Sequence, residues 1–195
     1  MKSHINKTAA VCFYHLRYLK SLRHKIGQEL TTRLVPAIII TRIDYCNSLF
    51  AGLPQSTLAP LQRVQNAAAR LVFNLRRYDH ITPALIQLHW LPVCQRIKFK
   101  LCVFMFNLSH GHMPPYIANN IVESGRMSTR SGLRSSTSNT YSLPRLRTKF
   151  AERCFSFSGP TAWNSLPSYI RNEPNFTTFK RLLKTHLFKK AFNLL

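Results

Sequence analysis

Six carboxylates, Glu29, Asp44, Asp79, Glu123, Glu152 and Glu173, are the only side-chain acids in this 195-residue chain. Asp44 comes first, because a tyrosine follows it in RIDYCNSLFAGLP (residues 42–54) and an Asp-Tyr pair can belong to a polymerase site. Nucleotide transfer needs two or three carboxylates converging on a pair of metal ions. Here no two acids lie closer than 15 positions, and no Asp-Asp, Asp-x-Asp or Glu-x-x-Asp occurs. Four of them have a cationic neighbour: Arg42 near Asp44, Arg77 near Asp79, Arg153 beside Glu152 and Arg171 near Glu173. Ion pairing or capping explains them more simply than catalysis, so no catalytic residue is assigned.

The other reactive side chains form no stronger constellation. Cys94, Cys102, His110 and His112 read C-x7-C-x7-H-x-H, whereas structural zinc sites set two cysteines two to four positions apart. Eight residues along a helix also turn the two thiols about 80° apart. Neither a metal nor a cofactor is assigned. There is no G-x-S-x-G elbow, the serines cluster in residues 124–140, and the six glycines include no G-x-x-x-x-G-K. Five scattered cysteines, odd in number and mostly among apolar residues, suit reduced thiols packed as small hydrophobes in an intracellular protein.

Cations are the abundant chemistry. The chain has 28 Lys+Arg and a formal charge of +22, yet its charged fraction of 17% is below the roughly 25% of an average domain. The imbalance therefore comes from missing acids, and such a chain calls for a polyanion, nucleic acid before an acidic membrane. The arrays are Lys20, Arg23, His24 and Lys25; Arg76 and Arg77; Arg96, Lys98 and Lys100; then Arg126, Arg130, Arg134, Arg145, Arg147 and Lys149. Their lysines and arginines are the candidate nucleic-acid-binding residues, since arginine and lysine pair with phosphate oxygens and arginine also stacks on unpaired bases. Tyr14, Tyr18, Tyr78 and Trp90 lie close by in sequence, either as stacking platforms or as covers for long basic stems.

The elements that must position these groups are mainly helical. Ile5, Ala9, Cys12, Leu16 and Leu19 give one apolar stripe over Lys2–Ile26, with Gly27 as a stop. A second helical segment over Glu29–Phe50 sets Leu30, Leu34, Ala37, Ile38, Thr41, Tyr45 and Leu49 on one side, with Pro36 as a kink or break. Ser56 or Thr57 caps a third helix, Leu58–Asn74, with Pro60 in its first turn and Ala67-Ala68-Ala69 allowing close approach. Together these predict a helical thumb-like bundle over 1–75.

A helical region follows over 76–123: a short helix from Thr82-Pro83, then one from Pro92 to about Leu108 with Val93, Ile97, Leu101, Phe104 and Leu108 inward. Residues 124–140 read as a flexible basic arm, rich in Ser and Arg. In 141–195, Tyr141–Leu146 and Arg153–Ser158 suggest a small two-stranded β element, with Gly159-Pro160 as a turn. A C-terminal amphipathic helix, Phe176–Phe192, sets Phe176, Phe179, Leu183 and Leu187 opposite Lys180, Arg181, Lys184 and Lys189. The apolar runs Leu34–Ile40 and Leu101–Phe106 are too short to span a bilayer, and Met1–Ala10 lacks the apolar stretch of a secretory signal. The expected setting is intracellular, nuclear or cytoplasmic, and not secreted.

The strings TRIDYCNSLFAGLP, LQRVQNAAARLVF, DHITPALIQLHWLPVCQRIKFKLC, RSGLRSS and FSGPTAWNSLP stand in this order from residue 41 to residue 167. In that order the chain resembles the C-terminal part of the reverse transcriptase polyprotein of LINE-class (non-LTR) retrotransposons of the jockey-like superfamily. The resemblance implies a helical thumb and downstream region, following an endonuclease and the fingers and palm with their Tyr/Phe-Ala-Asp-Asp motif. That motif does not occur here, and Asp44 matches a thumb position. The implied partners are RNA or an RNA–DNA duplex, target DNA, and a palm and fingers domain. Pro36 and Cys94 depart from the family's usual residues, which keeps a decayed copy as the alternative.

Overall fold

The computed structural model describes residues 1–123 and 139–194, and helices dominate it. The basic arm expected over 124–140, with Arg126, Arg130 and Arg134, lies outside the described residues apart from Asn139 and Thr140. Packing divides the chain into two compact units. One is Met1–Ile97 joined by the residues from Leu187 on, the other Lys98–His186. The division falls inside a helix, downstream of the boundary expected between residues 75 and 76.

In the first unit, α1 (Lys2–Val35) buries Ile5, Ala9, Cys12, Leu16 and Leu19, the stripe its three- and four-residue spacing implies. Gly27 breaks it at φ 74° and ψ 178°, where an added Cβ would meet nothing within 4 Å. The demand for glycine there is thus conformational, not steric. Beyond Gly27 the helix resumes, and the Thr31 hydroxyl donates to the Gly27 carbonyl at 2.6 Å. Pro36, which has no N–H to give, opens a π-helical turn, Pro36–Ile40, before α2 (Thr41–Asp44) and a 3-10 turn, Asn47–Phe50.

The inward residues of this stretch are Thr31, Val35, Ile39, Ile40, Ile43 and Phe50. The stripe expected there was the opposite one: Leu30, Leu34, Ala37, Thr41, Tyr45 and Leu49 are exposed and Ile38 is half-buried. Gly27 and the π turn each shift the helical phase, so one 3.6-residue period does not carry through. The segment is apolar on both sides.

α3 (Gln55–Phe73) supplies the main partner of α1. It starts three residues before the expected Leu58, at N-cap Pro54, without a side-chain cap from Ser56 or Thr57, and Pro60 lies past the first turn. Leu61, Val64, Ala68, Ala69 and Val72 are buried, and the two alanines keep the packing surface flat. Asn74 ends α3 at φ 56°. Polar α3 residues tie down the chain that follows: Gln65 Nε2 donates to the Leu91 carbonyl at 2.8 Å, and Gln62 Oε1 accepts the Val93 N–H at 2.9 Å. α4 (Thr82–Gln87) and the start of α5 (Val93–Ser109) complete the unit, with Phe188 packing on His89 at 5.7 Å between ring centroids.

The second unit contains the rest of α5, then α6 (Pro115–Ala118), α7 (Phe155–Asn164), α8 (Ser168–Arg171) and most of α9 (Phe176–Phe192). Its core is aromatic. Trp163 and Phe179 are fully buried with ring centroids 5.8 Å apart, and Phe106 stacks on Phe179 at 4.4 Å. On α9, Phe179, Leu183 and Leu187 are buried, whereas Lys180, Arg181, Lys184 and Lys189 are exposed, as is Phe176.

The two-stranded β element is a correction: no sheet forms among the described residues, only one antiparallel bridge between Glu123 and Tyr141. The Asn164 side chain takes both backbone groups of Tyr141, accepting its N–H at 3.1 Å and donating to its carbonyl at 2.8 Å. A strand partner would need those same groups. Residues 153–158, the other expected strand, instead end a 3-10 turn, Ala151–Arg153, and open α7. Gly159-Pro160 lies within that helix and makes no turn. A Cβ on Gly159 would come within 2.8 Å of Phe155 and 2.9 Å of Met105, so close packing explains this glycine.

Candidate nucleic-acid interface

The C-terminal half of the first α1 segment and the end of α3 lie close together, and the small α3 residues Ala68 and Ala69 are inaccessible. Beyond this seam opens a groove with a volume of about 660 Å³. Arg17, Lys20, Arg23 and His24 of α1, Arg70 of α3 and Arg77 just past it line the groove, and no carboxylate does. Phe13, Leu71 and Leu75 form its apolar floor. Five permanent cations around one open concavity focus a positive potential there.

The wall is partly preorganised. Arg23 Nε donates to the Leu71 carbonyl at 2.7 Å and Nη2 to the Val72 carbonyl at 3.2 Å. A cation on the last carbonyls of a helix satisfies groups that have no intrahelical donor and suits the negative end of the helix dipole. Arg70 donates from Nη2 to the Asp79 carbonyl at 3.3 Å, a long bond that holds it loosely. Arg17, Lys20 and Arg77 are exposed.

The candidate residues named from sequence separate into distinct roles. Lys20, Arg23 and Arg77 meet in the groove. Lys25 and Arg76 are exposed near it in sequence but do not line it. Arg96 already has a partner within the fold. It makes a two-pronged pair with Asp44, Nε donating to Oδ1 at 2.7 Å and Nη2 to Oδ2, and its side chain is only 18% exposed. Its charge is spent inside the fold, 52 positions from its partner. Lys98, Lys100, Arg145, Arg147 and Lys149 are exposed in the second unit, and Lys100 Nζ lies 5.5 Å from the Phe104 ring centre. Arg126, Arg130 and Arg134 lie outside the described residues.

Arg17 and Arg70 were missed as groove residues. The signal existed in the sequence: Arg17, Lys20 and His24 fall at i, i+3 and i+7, one helical face. Arg70 carried no such signal, because its place at the groove depends on which face of α3 meets α1. Among the aromatics, Trp90 is buried and serves the core, whereas Tyr14, Tyr18 and Tyr78 are exposed.

The acids do not gather. Asp44 pairs with Arg96 and accepts from Asn47 Nδ2 at 3.2 Å, not from the adjacent Arg42. Glu29 pairs with Arg33 one turn on, and Asp79 Oδ2 accepts the Arg76 N–H at 2.6 Å. Among the described residues, no three His, Cys, Asp or Glu side chains come together as metal ligands.

The thiols also divide, which revises the picture of cysteines packed as small hydrophobes. Cys12 and Cys102 are buried, but Cys46, Cys94 and Cys154 are exposed. Burial pushes the Cys102 thiol up to about 12 and raises Cys12 as well, which disfavours the thiolate in both. No described helix is long and apolar enough to cross a membrane.

Comparison with protein-family models, curated proteins and solved structures finds no match to this chain.

Proposed function

We propose that this chain is a non-catalytic, nucleic-acid-binding segment from the C-terminal part of a LINE-class reverse transcriptase, gripping RNA or an RNA–DNA duplex by its phosphates. One observation carries the reading: the groove between α1 and α3 is lined by Arg17, Lys20, Arg23, His24, Arg70 and Arg77 and by no acid. A phosphate backbone is the polyanion that such a concavity accommodates without base specificity. The engagement of Asp44 by Arg96 supports the non-catalytic part, because a carboxylate held in a two-pronged ion pair is not available to a metal ion.

The test is a salt titration. Binding of the purified chain to RNA, followed by fluorescence anisotropy, should weaken on a log–log plot by roughly 0.7–0.9 per phosphate engaged. Arg17→Ala, Lys20→Ala and Arg77→Ala together should lower that slope by about 2–3, one phosphate for each cation removed. A slope near zero for the wild-type chain overturns the reading.

A second reading rests on the outward apolar face. Leu30, Tyr45 and Leu49 are half or more exposed, and Leu34 lies on the same side. A helix apolar on both faces is one that another surface covers, and a polymerase palm domain is the occupant the family resemblance implies. Binding of a palm fragment, lost on Leu30→Lys with Tyr45→Lys but retained by the groove variants, would favour it.

A further inference from the structure

The groove reading leaves open which nucleic acid enters it, and one row of side chains on α1 narrows the choice. Tyr14 and Tyr18 stand 64% and 62% exposed, one turn apart on a helix whose opposite face forms the core. A buried ring is explained by packing; two large, solvent-facing rings on one helix face are not. His15 meets Tyr14 nearly edge-on, at 5.5 Å and 73°, which is a contact between neighbours in sequence and covers no second ring.

Their position relative to the groove is the informative part. At about 100° of rotation per residue, Tyr14, Arg17 and Lys20 step round α1 in increments of about 60°. Arg17 and Lys20 line the groove, so Tyr14 stands one step outward from Arg17 on its shoulder, with Tyr18 about 100° round from Arg17. Tyr18 lies about 40° beyond Tyr14 and about 6 Å further along the axis. Lys25 follows Tyr18 by seven residues, on that same face, and is exposed. The order round α1 is therefore Lys20 in the groove, Arg17 at its edge, and then the two rings with Lys25 on their face.

We infer that this surface takes a single strand, with phosphates on Arg17 and Lys20 and unpaired bases stacked on Tyr14 and Tyr18. A strand has its phosphates on one side and its bases on the other, which is the order displayed across α1. A duplex turns its bases inward and would leave both rings without a partner. Stacking on aromatic side chains tolerates any base, in keeping with a groove that offers phosphate contacts and no base-reading carboxylate or amide except Asn74. The inference rests on the groove reading proposed above and specifies its ligand.

The experiment uses the whole chain and two fluorescent probes with equal numbers of phosphates, a uridine homopolymer and a blunt RNA duplex. The expected result is at least tenfold tighter binding of the single strand at one fixed salt concentration. Tyr14→Ala with Tyr18→Ala should lose roughly tenfold per ring on the single strand, with the salt slope and the duplex affinity unchanged. Tyr14→Phe with Tyr18→Phe, which keeps the rings, should bind as wild type and guards against a folding defect. Equal binding of both probes with a steep salt slope, or alanine variants that bind as wild type, would overturn the stacking assignment while leaving the groove intact. Binding of neither probe would overturn the groove reading and this one with it.

Discussion

Arg171 and Trp163 of the second unit and Arg17, Tyr14 and Tyr18 of the first put the same two chemistries to opposite uses. In the second unit, Arg171 has its donors taken by backbone: Nε by the Leu166 carbonyl at 3.1 Å and Nη1 by the Asn139 carbonyl at 2.8 Å. Trp163 beside it is fully buried, and its Nε1 donates to the same Asn139 carbonyl at 3.0 Å. Cation and ring there knit the segment around Asn139 to α7 and α8. In the first unit, Arg17 and Lys20 are exposed in a groove without acids, and Tyr14 and Tyr18 face outward. The same chemistry is thus structural where carbonyls satisfy it and available where they do not. Arg23 is the intermediate case, lining the groove while bonded to the end of α3.

That contrast breaks most visibly at Trp163. Trp163→Ala removes the largest buried side chain of the second unit and should cost about 3–5 kcal/mol in a denaturant titration. The exposed groove cations, by comparison, should change stability by no more than about 0.5 kcal/mol each when replaced by alanine. A similar cost for both sets would erase the distinction drawn between the units.

Arg96 sharpens it within the first unit. Its alanine variant leaves Asp44, 38% exposed, without its charged partner and should cost about 1–3 kcal/mol. It should leave the salt dependence of RNA binding unchanged, because that charge is internal. A lowered slope for Arg96→Ala would return Arg96 to the binding surface.

The smallest expected effect is a titration in the second unit. Burial, helped by the nearby Glu123 charge and opposed by a hydrogen bond with Ser109, pushes the Tyr141 phenol from 10.0 up to about 12. The folded state therefore keeps the proton longer than the unfolded chain does. The stability associated with this group is present below pH 10 and is lost as pH rises from about 10 to about 12. Ultraviolet absorbance should show one tyrosine ionising late, and Tyr141→Phe should remove that late step.

Helix existence was legible in the sequence where one apolar period ran uninterrupted. Ile5 to Leu19 on α1 and the buried Val93, Ile97 and Leu101 of α5 lie where their spacing implies. The stretch after Gly27 was misread because it carries apolar residues on both faces, so periodicity alone could not say which face turns inward. The 153–158 segment was misread for a different reason. Its alternating small and aromatic residues fit a strand locally, but Gly159 lets α7 lie against Met105 of α5, and helix packing overrides the local pattern. In the candidate site, the clustering of Lys20, Arg23 and Arg77 is visible in the sequence, while the pairing of Arg96 with Asp44 spans 52 positions and has no local signal.

The amino-acid sequence by itself determined the cationic surplus, the scarcity of carboxylates and the helical phase of Tyr14, Arg17 and Lys20 along α1. These are properties of composition and of spacing within one element, which need no long-range contact. The tertiary structure decided which cations remain free. Whether an arginine meets a carboxylate 52 positions away, a carbonyl at a helix end or open solvent depends on how separate elements pack, and no local pattern encodes that distance.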